Sequence, residues 1–518
     1  MTSLSVGIIG KKDGWQLMLE QEGVPYAVVG EEMSVDEFSA LVVSDGVSPM
    51  WLERLRKYLD SGGSVLCSAG TFSQFADVPS NETFIRYLLP EPGSEFSGAG
   101  MVDLFCQGFI PQNANSLLNE NGQRTAFIGS FRGGTLVVLP FDANELALDA
   151  RILTKSFYAR RNRLPFERVS LVSKRAVRKL VSRSLEMLHH RRGLPYVHKW
   201  YYPSDAPSLF ALRVDTDSSD RHTIESLHHL AASVNIPLTW FVDTKSQQNF
   251  AGVFSSMKAD EIGIHCYEHA TYPDYQKNIE NIRRATNLLH GHGIEATSFA
   301  APYGAWNEAI AAAIEHCGFE YSSEFSYDFD NLPSFPYSDG KPMSTLQVPV
   351  HPISIGSLQR QGFDNQEMID YFRFAMESKL QQRDPLFFYH HPRNNHADVL
   401  KVMFEFVHQQ SVQAVRMIDY ARWWKKRCGV SYRAFVNDNE LRIDSGPADD
   451  SVYVHITQDS VKESFTPFQS HISMGNLEWN NSPQPMPLRA DIHRIRKFNP
   501  WIPIVRAEDF LYKLIKKT

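Results

Sequence analysis

The sequence predicts an α/β protein whose main part is an irregular, TIM-like (β/α) barrel of about seven strands. From residue 209 onward, short apolar runs alternate with stretches of helical periodicity, as expected for repeated strand–helix units around a parallel sheet. Acidic, histidine and aromatic residues follow the ends of several of these runs, which is where such barrels place their active sites. A similar alternation precedes the barrel, and short alternating strands follow it.

These changes of pattern divide the 518 residues into four parts. We expect an open α/β accessory domain over residues 1–150, a basic helical linker over 151–204, the barrel over 205–427 and a small β-rich region over 428–518. The linker is rich in arginine and lysine and has helical spacing over Arg175–His189.

In the first part, strand-like and helix-like runs alternate. The expected strands are Val6–Ile9, Tyr26–Val29, Ala40–Ser44 and Ser64–Cys67, and the expected helices are Trp15–Glu22 and Met50–Leu59. The stretch Tyr58–Leu66, with its Gly62-Gly63 turn, resembles the helix-to-strand turn of glutamine-amidotransferase-like, flavodoxin-like domains. Because Cys67 lies outside any G-x-C-x-G elbow, we interpret it as a structural thiol and this domain as non-catalytic.

In the barrel region, each expected strand is short and apolar. The expected strands are Leu209–Val214, Pro237–Val242, Glu261–His265, Thr297–Ala300, Phe319–Ser322, Leu346–Val350, Leu386–His390 and Gln413–Met417. The clearest helices between them are Thr223–Val234, Tyr275–His290, Asn307–Cys317 and Gln366–Gln382. After a helix over Ile418–Arg427, short strands are expected at Tyr432–Val436, Glu440–Ile443, Ser451–Ile456 and His471–Met474.

Composition excludes several classes of protein. A hydrophobic content of 43% and a charged content of 21% are typical of a folded globular protein. The net charge of -7 gives no general attraction to nucleic acid, and no apolar run reaches the roughly 20 residues of a membrane span. Five scattered cysteines without CxxC spacing, and an N-terminus without a signal-peptide pattern, lead us to expect a cytoplasmic protein with reduced thiols.

Two carboxylates and two imidazoles form the chemically informative pattern. Asp215 and Asp217 follow a strand two residues apart, so both side chains can face one pocket. His265 and His269 follow another strand with a spacing that lets both rings reach one ion. One Asp and two His predict a metal site with open positions, and the second Asp can act as a base. The inverted zinc-protease pattern His-x-x-Glu-His fits less well, because a strand precedes it and Pro273 follows.

The ordered motifs resemble the polysaccharide deacetylase family with the NodB homology domain, over about residues 205–427. The resemblance implies that Asp215 is the general base and that Asp217, His265 and His269 bind one divalent metal ion, zinc first, with cobalt or nickel as alternatives. It also implies that the backbone N–H of Tyr303, within Pro302-Tyr303-Gly304, stabilises an oxyanion. The family's last motif matches Leu386–Pro392 and makes His391, or else His390, the general acid.

Two family positions differ in this sequence. Ala300 stands where the family has an arginine that orients the base. The family's D-x-x-D-W motif has no clear counterpart, although Glu324, Asp328 and Asp330 lie near its expected place. As a whole, the resemblance implies an N-deacetylase of a polysaccharide or glycan precursor, with carbohydrate as the substrate. By residue type, Trp240 and Trp306 are candidate sugar-stacking residues, although core packing explains such aromatic residues equally well. The alternatives are a silent carbohydrate-binding protein and a hydrolase of cyclic imides or ureides. The sequence leaves the oligomeric state open.

Overall fold

A computed structural model of the chain describes residues 1–159, 164–394, 396–446, 450–459, 461–483, 502–504 and 507. The chain forms two compact units, each assembled from separate stretches. Unit 1 contains residues 1–149, 171–206 and 423–488, and unit 2 contains residues 150–170, 207–422 and 489–518. The four-part division stays a prediction, and Arg160, Arg161 and Arg163 of the expected linker lie outside the described residues.

Strands and helices alternate over the first 76 residues, and five successive strands follow over residues 80–139 before the basic helix. The strands are β1 Thr2–Ser3, β2 Val6–Ile9, β3 Tyr26–Val28, β4 Ala40–Val43, β5 Ser64–Ser68, β6 Ser80–Leu89, β7 Val102–Pro111, β8 Ser116–Asn119, β9 Arg124–Phe131, β10 Gly134–Leu139, β11 Ile152–Ser156, β12 Phe166–Ser170 and β13 Tyr196–Lys199. The helices are α1 Asp13–Glu22, α2 Pro49–Asp60, α3 Ala69–Ala76, α4 Ala143–Ala147 and α5 Lys174–His190, with a 3-10 turn at Val35–Glu37.

Unit 1 is built on a nine-stranded sheet in the order β3-β2-β4-β5-β10-β9-β8-β6-β7. The first five strands of this sheet, β3-β2-β4-β5-β10, are parallel. When these five are renumbered from 1 to 5 along the chain, their order in the sheet is 2-1-3-4-5, an order found in doubly wound, flavodoxin-like sheets. The antiparallel extension β6–β9 was not expected from the sequence. The flavodoxin-like assignment stays a prediction. Cys67 is buried in the core of this sheet, and burial raises the pKa of its thiol well above the usual value.

The barrel and the C-terminal region follow. The strands are β14 Leu209–Asp215, β15 Leu238–Val242, β16 Glu261–Ile264, β17 Ser298–Phe299, β18 Tyr321–Ser322, β19 Tyr337–Ser338, β20 Lys341–Pro342, β21 Leu346–Gln347, β22 Leu386–His390, β23 Gln413–Ala414, β24 Tyr432–Asn437, β25 Glu440–Ser445, β26 Tyr453–Gln458, β27 Lys462–Pro467, β28 His471–Ser473 and β29 Asn480–Asn481. The helices are α6 Arg221–Ala232, α7 Thr244–Gln247, α8 Tyr275–His290, α9 Glu308–Cys317, α10 Ile355–Arg360, α11 Asn365–Gln381, α12 Ala397–Gln409 and α13 Met417–Gly429. The 3-10 turns are Ala251–Ser256, Pro302–Gly304, Pro392–Asn394 and Met474–Asn476.

Unit 2 is a curled parallel sheet in the order β21-β18-β17-β16-β15-β14-β22, with β23 paired to β14. Its edges approach each other where the N–H of His351 donates to the carbonyl of Phe387 at 2.8 Å. Apolar residues on the outer face of the sheet, such as Val214, Trp240 and Phe299, pack under the helices in one large core. The predicted irregular barrel of about seven strands is therefore confirmed.

The C-terminal strands belong to unit 1. They form two four-stranded sheets, β1-β24-β25-β28 and β13-β26-β27-β29, which include strands from the N-terminus and from residues 196–199. A shared core contains Leu4, Val197, Ala434, Ile443 and Ile456. Helix α5 also lies in unit 1, where its Arg178 is buried and paired with Glu22.

None of the helices in the described part of the chain combines the length and apolar character that crossing a membrane requires.

Candidate metal and catalytic centre

The candidate site lies at the carboxyl ends of the barrel strands, and strand register decides which side chains reach it. Arg213 pairs with Thr239 and Tyr389, whereas Val214 pairs with Trp240 and His390. Because neighbours in register point to the same face, the first set faces the barrel interior, and the second faces the helix-covered core that contains Val214 and Trp240.

Asp217, His265 and His269 come together as the one group of potential metal ligands found in the described part of the chain. One ligand atom from each lies within 4.8 Å of the others. The Nε2 atoms of His265 and His269 lie 3.1 and 3.0 Å from Asp217 Oδ1. Even so, Asp217 Oδ1 and His269 Nε2 are buried without a hydrogen-bond partner among the described residues. Three potential metal-ligating atoms this close together, two of them without a hydrogen-bond partner, fit a divalent cation.

The second nitrogen of His265 fixes the tautomer that such a ligand needs. Its Nδ1 lies 2.7 Å from the carbonyl oxygen of Ala300, which can only accept a hydrogen bond. Nδ1 therefore carries the proton, and Nε2 presents its lone pair toward Asp217 and His269. This arrangement, in which the outer nitrogen donates to a backbone carbonyl, is the usual support for a metal-bound histidine.

The segment between the two histidines is a loop and not a helix. Cys266 adopts a left-handed conformation with φ of 66°, which turns the chain back directly after the strand. Asn281 of α8 holds the loop by accepting from the N–H of Glu268 at 2.6 Å and donating to the carbonyls of Glu268 and Ala270. The zinc-protease pattern requires a helix here, so that alternative is excluded.

Asp215 is buried and forms a two-point ion pair with Arg213, whose Nε and Nη2 each donate at 2.7 Å. Burial is the largest single effect and raises the pKa of Asp215, but the charge and hydrogen bonds of Arg213, together with the charges of His265 and His391, hold that pKa below its usual value. The carboxylate therefore stays ionised beside the ligand group. Gln247 stabilises the segment that follows Asp215, because it accepts a hydrogen bond from the hydroxyl of Thr216 and donates one to the carbonyl of Ser219.

The two adjacent histidines after β22 point to different faces. His391 Nε2 lies 3.5 Å from Asp217 Oδ2. His390 is in register with Val214, and its Nδ1 is buried without a partner among the described residues. Burial lowers the pKa of His390 to about 3. Burial also lowers the pKa of His391, against the opposing charge of Asp217. The structure therefore brings His391 to the site and not His390.

Pro302, Tyr303 and Gly304 form a tight turn next to His269. Tyr303 has a positive φ of 63°, and its ring lies 4.8 Å from the ring of His269. The side chain of Tyr303 is 62% exposed. A left-handed non-glycine residue of this kind is uncommon and is often found at functional sites.

The following loop supports this turn. Glu324 Oε1 accepts from the N–H of Ala301 at 3.0 Å, and the N–H of Ser326 donates to the carbonyl of Gly304 at 3.0 Å. A Cβ on Gly304 would lie 2.4 Å from the ring of Phe325, so only glycine fits there. Burial raises the pKa of Glu324 to about 7.

Several residues expected near the site lie elsewhere. Trp240 is fully buried in the outer core, where its Nε1 donates to Asp260. Trp306 is also in that core and packs against Tyr327 at 4.7 Å. Asp328 accepts from neighbouring residues of its own loop, and Asp330 pairs with His351 and Lys379. The structure therefore does not bring the two tryptophans to the site as sugar-stacking residues. Of the three acids near the missing motif, Glu324 contacts the turn of Tyr303 through the N–H of Ala301.

Comparison with known proteins gives a family for part of the barrel. The family model of polysaccharide deacetylases matches residues 207–322. No curated protein matches the chain. Among solved structures, a probable polysaccharide deacetylase from Pseudomonas aeruginosa PAO1 is 18% identical, covering 43% of this chain and 92% of that chain, with a TM-score of 0.36. The allantoinase Puue is 20% identical, covering 43% and 92%, with a TM-score of 0.36. A CE4-family pseudoenzyme from Bacillus anthracis is 11% identical, covering 41% and 65%, with a TM-score of 0.30.

Proposed function

We propose that this protein, whose residues 207–322 are a polysaccharide deacetylase domain, removes the acetyl group from an N-acetylated sugar of a polysaccharide or glycan precursor. The reaction is a metal-dependent amide hydrolysis. The observation that carries the proposal is the group Asp217, His265 and His269, in which two potential metal-ligating atoms have no hydrogen-bond partner among the described residues. The ionised carboxylate of Asp215, two residues before Asp217, completes the set.

The residues of the chain divide the chemistry between them. A divalent ion held by Asp217, His265 and His269, zinc first and cobalt or nickel next, supplies Lewis acidity for the acetyl carbonyl and for water. Asp215 takes a proton from the attacking water, whose oxygen forms a bond to the carbonyl carbon. The backbone N–H of Tyr303 stabilises the negative charge on the carbonyl oxygen. His391 gives a proton to the nitrogen as the C–N bond breaks, and the products are acetate and a free amino sugar.

The test combines acetate release with metal content. Asp215→Asn should lower kcat for acetate release from N-acetylhexosamine oligomers by about a thousandfold, because it removes the base. Metal content by mass spectrometry should stay near that of the wild type. Asp398→Asn, which changes an exposed acid of the same unit, is the matched control and should behave as the wild type.

The double variant H265A/H269A should lose the metal ion together with the activity. Undiminished turnover in Asp215→Asn would remove Asp215 from its role. Metal binding without acetate release from any N-acetylated sugar would favour one of two other functions: silent glycan binding or the opening of cyclic imides. Glycan titration and a ring-opening assay separate these two.

A further inference from the structure

We propose that Arg213 is the residue that positions Asp215 as the general base, a role that rests on the proposed function. The family position for such an arginine is Ala300 in this chain. Arg213 comes instead from the strand that carries the base itself, two residues before it. Strand alternation places both side chains on the inner face of the barrel.

The two side chains form a fork, meaning two parallel hydrogen bonds from the guanidinium of Arg213 to the two carboxylate oxygens of Asp215. Nε of Arg213 donates to Oδ1 of Asp215 and Nη2 donates to Oδ2, both at 2.7 Å. Charge-assisted bonds of this two-point kind fix the plane of the carboxylate as well as its distance. Asp215 cannot rotate about its side-chain bonds unless both bonds break.

The guanidinium is itself held from several directions. Nη1 donates to the carbonyl oxygen and, at 3.2 Å, to the hydroxyl of Ser323. The rings of Phe241 and Tyr389 lie 5.3 and 5.6 Å from the guanidinium carbon. Arg213 is 0% exposed. A fully enclosed cation with a fixed orientation transmits that orientation to its carboxylate partner, which a flexible surface arginine would not do.

This arrangement keeps the two aspartates in separate roles. Asp215 and Asp217 are two residues apart, and an Asp215 released from Arg213 would be free to turn toward an ion held by Asp217, His265 and His269. With both of its oxygens engaged by Arg213, Asp215 stays available for a water proton. Arg213 is thus a positioning residue that acts through Asp215 and touches no reacting atom.

The first test is a double-mutant cycle. Arg213→Lys keeps the charge but cannot form the fork. We expect kcat to fall about a hundredfold with KM nearly unchanged, since small displacements of a base cost about that much. In the Asp215→Asn background the same change should have no further effect on kcat. Arg422→Lys is the matched control, because Arg422 forms an equivalent fork with Glu320 at the surface.

The second readout needs no substrate. With Co²⁺ bound, the visible absorption band reports the number of ligands. We expect the band to change in R213K, because Asp215 is then free to bind the ion. In R213K/D215N the band should match that of the single variant Asp215→Asn. An unchanged band together with unchanged kcat in R213K would overturn the positioning role. An inactive wild type whose cobalt band still responds to R213K would instead overturn the proposed function alone.

If R213K does not fold, Ser323→Ala carries the test, because it removes a single hydrogen bond of the guanidinium. We expect it to lower kcat about fivefold at constant KM, a milder effect than losing the fork. Wild-type kcat in that variant would contradict the proposal.

Discussion

At the scale of single residues, the site depends on which face of a strand each side chain occupies. His390 and His391 are adjacent and have the same chemistry, yet only His391 lies near Asp217, at 3.5 Å. The parallel register with β14 places His390 beside Val214, on the outer face. A shift of one residue in this register would exchange the two rings.

This difference predicts a large loss of kcat in one of two matched variants and little change in the other. His391→Gln should lower kcat by about 10² to 10³, because a general acid is lost. His390→Gln should keep kcat within about threefold, since His390 is in register with Val214 and does not face the site. Steady-state acetate release by both variants provides the measurement, and a larger loss in His390→Gln would reverse the assignment.

Much of the site could be predicted at this scale, and the omissions have specific causes. The spacing of Asp215 and Asp217 and of the two histidines identified the ligand group because local periodicity fixes which side chains share a face. The same periodicity places Arg213 beside Asp215, but a buried arginine on a strand is not by itself a signal of function. Trp240 was placed at the site on its residue type alone, although its register with Val214 puts it in the outer core. Asn281 and Gln247 act through tertiary contacts, which a single sequence does not encode locally.

At the scale of elements, loops brace one another at the ends of the strands. The loop of Glu324 to Tyr327 supports the turn of Tyr303 through two hydrogen bonds and through the ring of Phe325 under Gly304. Glu324 is fully buried, and its Oε2 has no partner among the described residues. A buried carboxyl with one unsatisfied oxygen is more stable in the protonated form.

This environment predicts a pH dependence of stability. Burial raises the pKa of Glu324 from 4.5 to about 7, so the folded protein binds the proton more tightly than the unfolded chain does. The contribution of Glu324 to the free energy of unfolding should therefore fall by about 3 kcal/mol as pH rises from about 4.5 to about 7 and then stay level. Glu324→Gln lacks this titration, so urea unfolding should show its stability rising relative to the wild type over that range.

The exposed Glu405→Gln is the control for this experiment and should follow the wild-type profile. Parallel pH profiles for the wild type and Glu324→Gln would contradict the prediction. Because Gln can still accept from the N–H of Ala301, acetate release near neutral pH should change little in Glu324→Gln.

Helices with strong local signals were the elements best predicted from the sequence. The bounds Tyr275–His290 agree with the structure at both ends, since Asp274 caps the first turn and Gly291 follows the last. Strand ends agreed less well: β17 and β21 are shorter than the apolar runs that predicted them. The antiparallel strands β6 to β9 were missed because their pairing is set by tertiary contacts and not by local periodicity.

At the scale of the whole molecule, sequence order and compact units do not coincide. Residues 1–149, 171–206 and 423–488 form one unit, although the barrel strands lie between them in the chain. The sequence suggested a separate C-terminal region because short alternating strands, separated by Asp, Asn, Gly and Pro, follow the helix over Ile418–Arg427. Their partners β1 and β13 are far away in sequence, and pairing at that distance leaves no local pattern.

Arg427 joins the three stretches of unit 1. It is fully buried, and it donates to the carbonyls of Lys199 and Trp200 at 2.8 and 2.6 Å. It also donates at 3.1 Å to the carbonyls of Glu20, Gln21 and Glu22, which close the C-terminal turn of α1. A cation at this end of a helix is further stabilised by the helix dipole.

We therefore expect Arg427→Met to destabilise unit 1 by about 3 to 5 kcal/mol, because five carbonyls, four of them in buried contacts, lose their shared donor. Arg433→Met, at an exposed position of the following strand, should cost less than about 0.5 kcal/mol. The measurement is hydrogen exchange followed by mass spectrometry, with protection expected to fall in α1, β13 and the C-terminal strands. Metal content should remain that of the wild type, since every metal-site residue lies in unit 2. Exchange confined to residues after 423 would show instead that the C-terminal strands form an independent region.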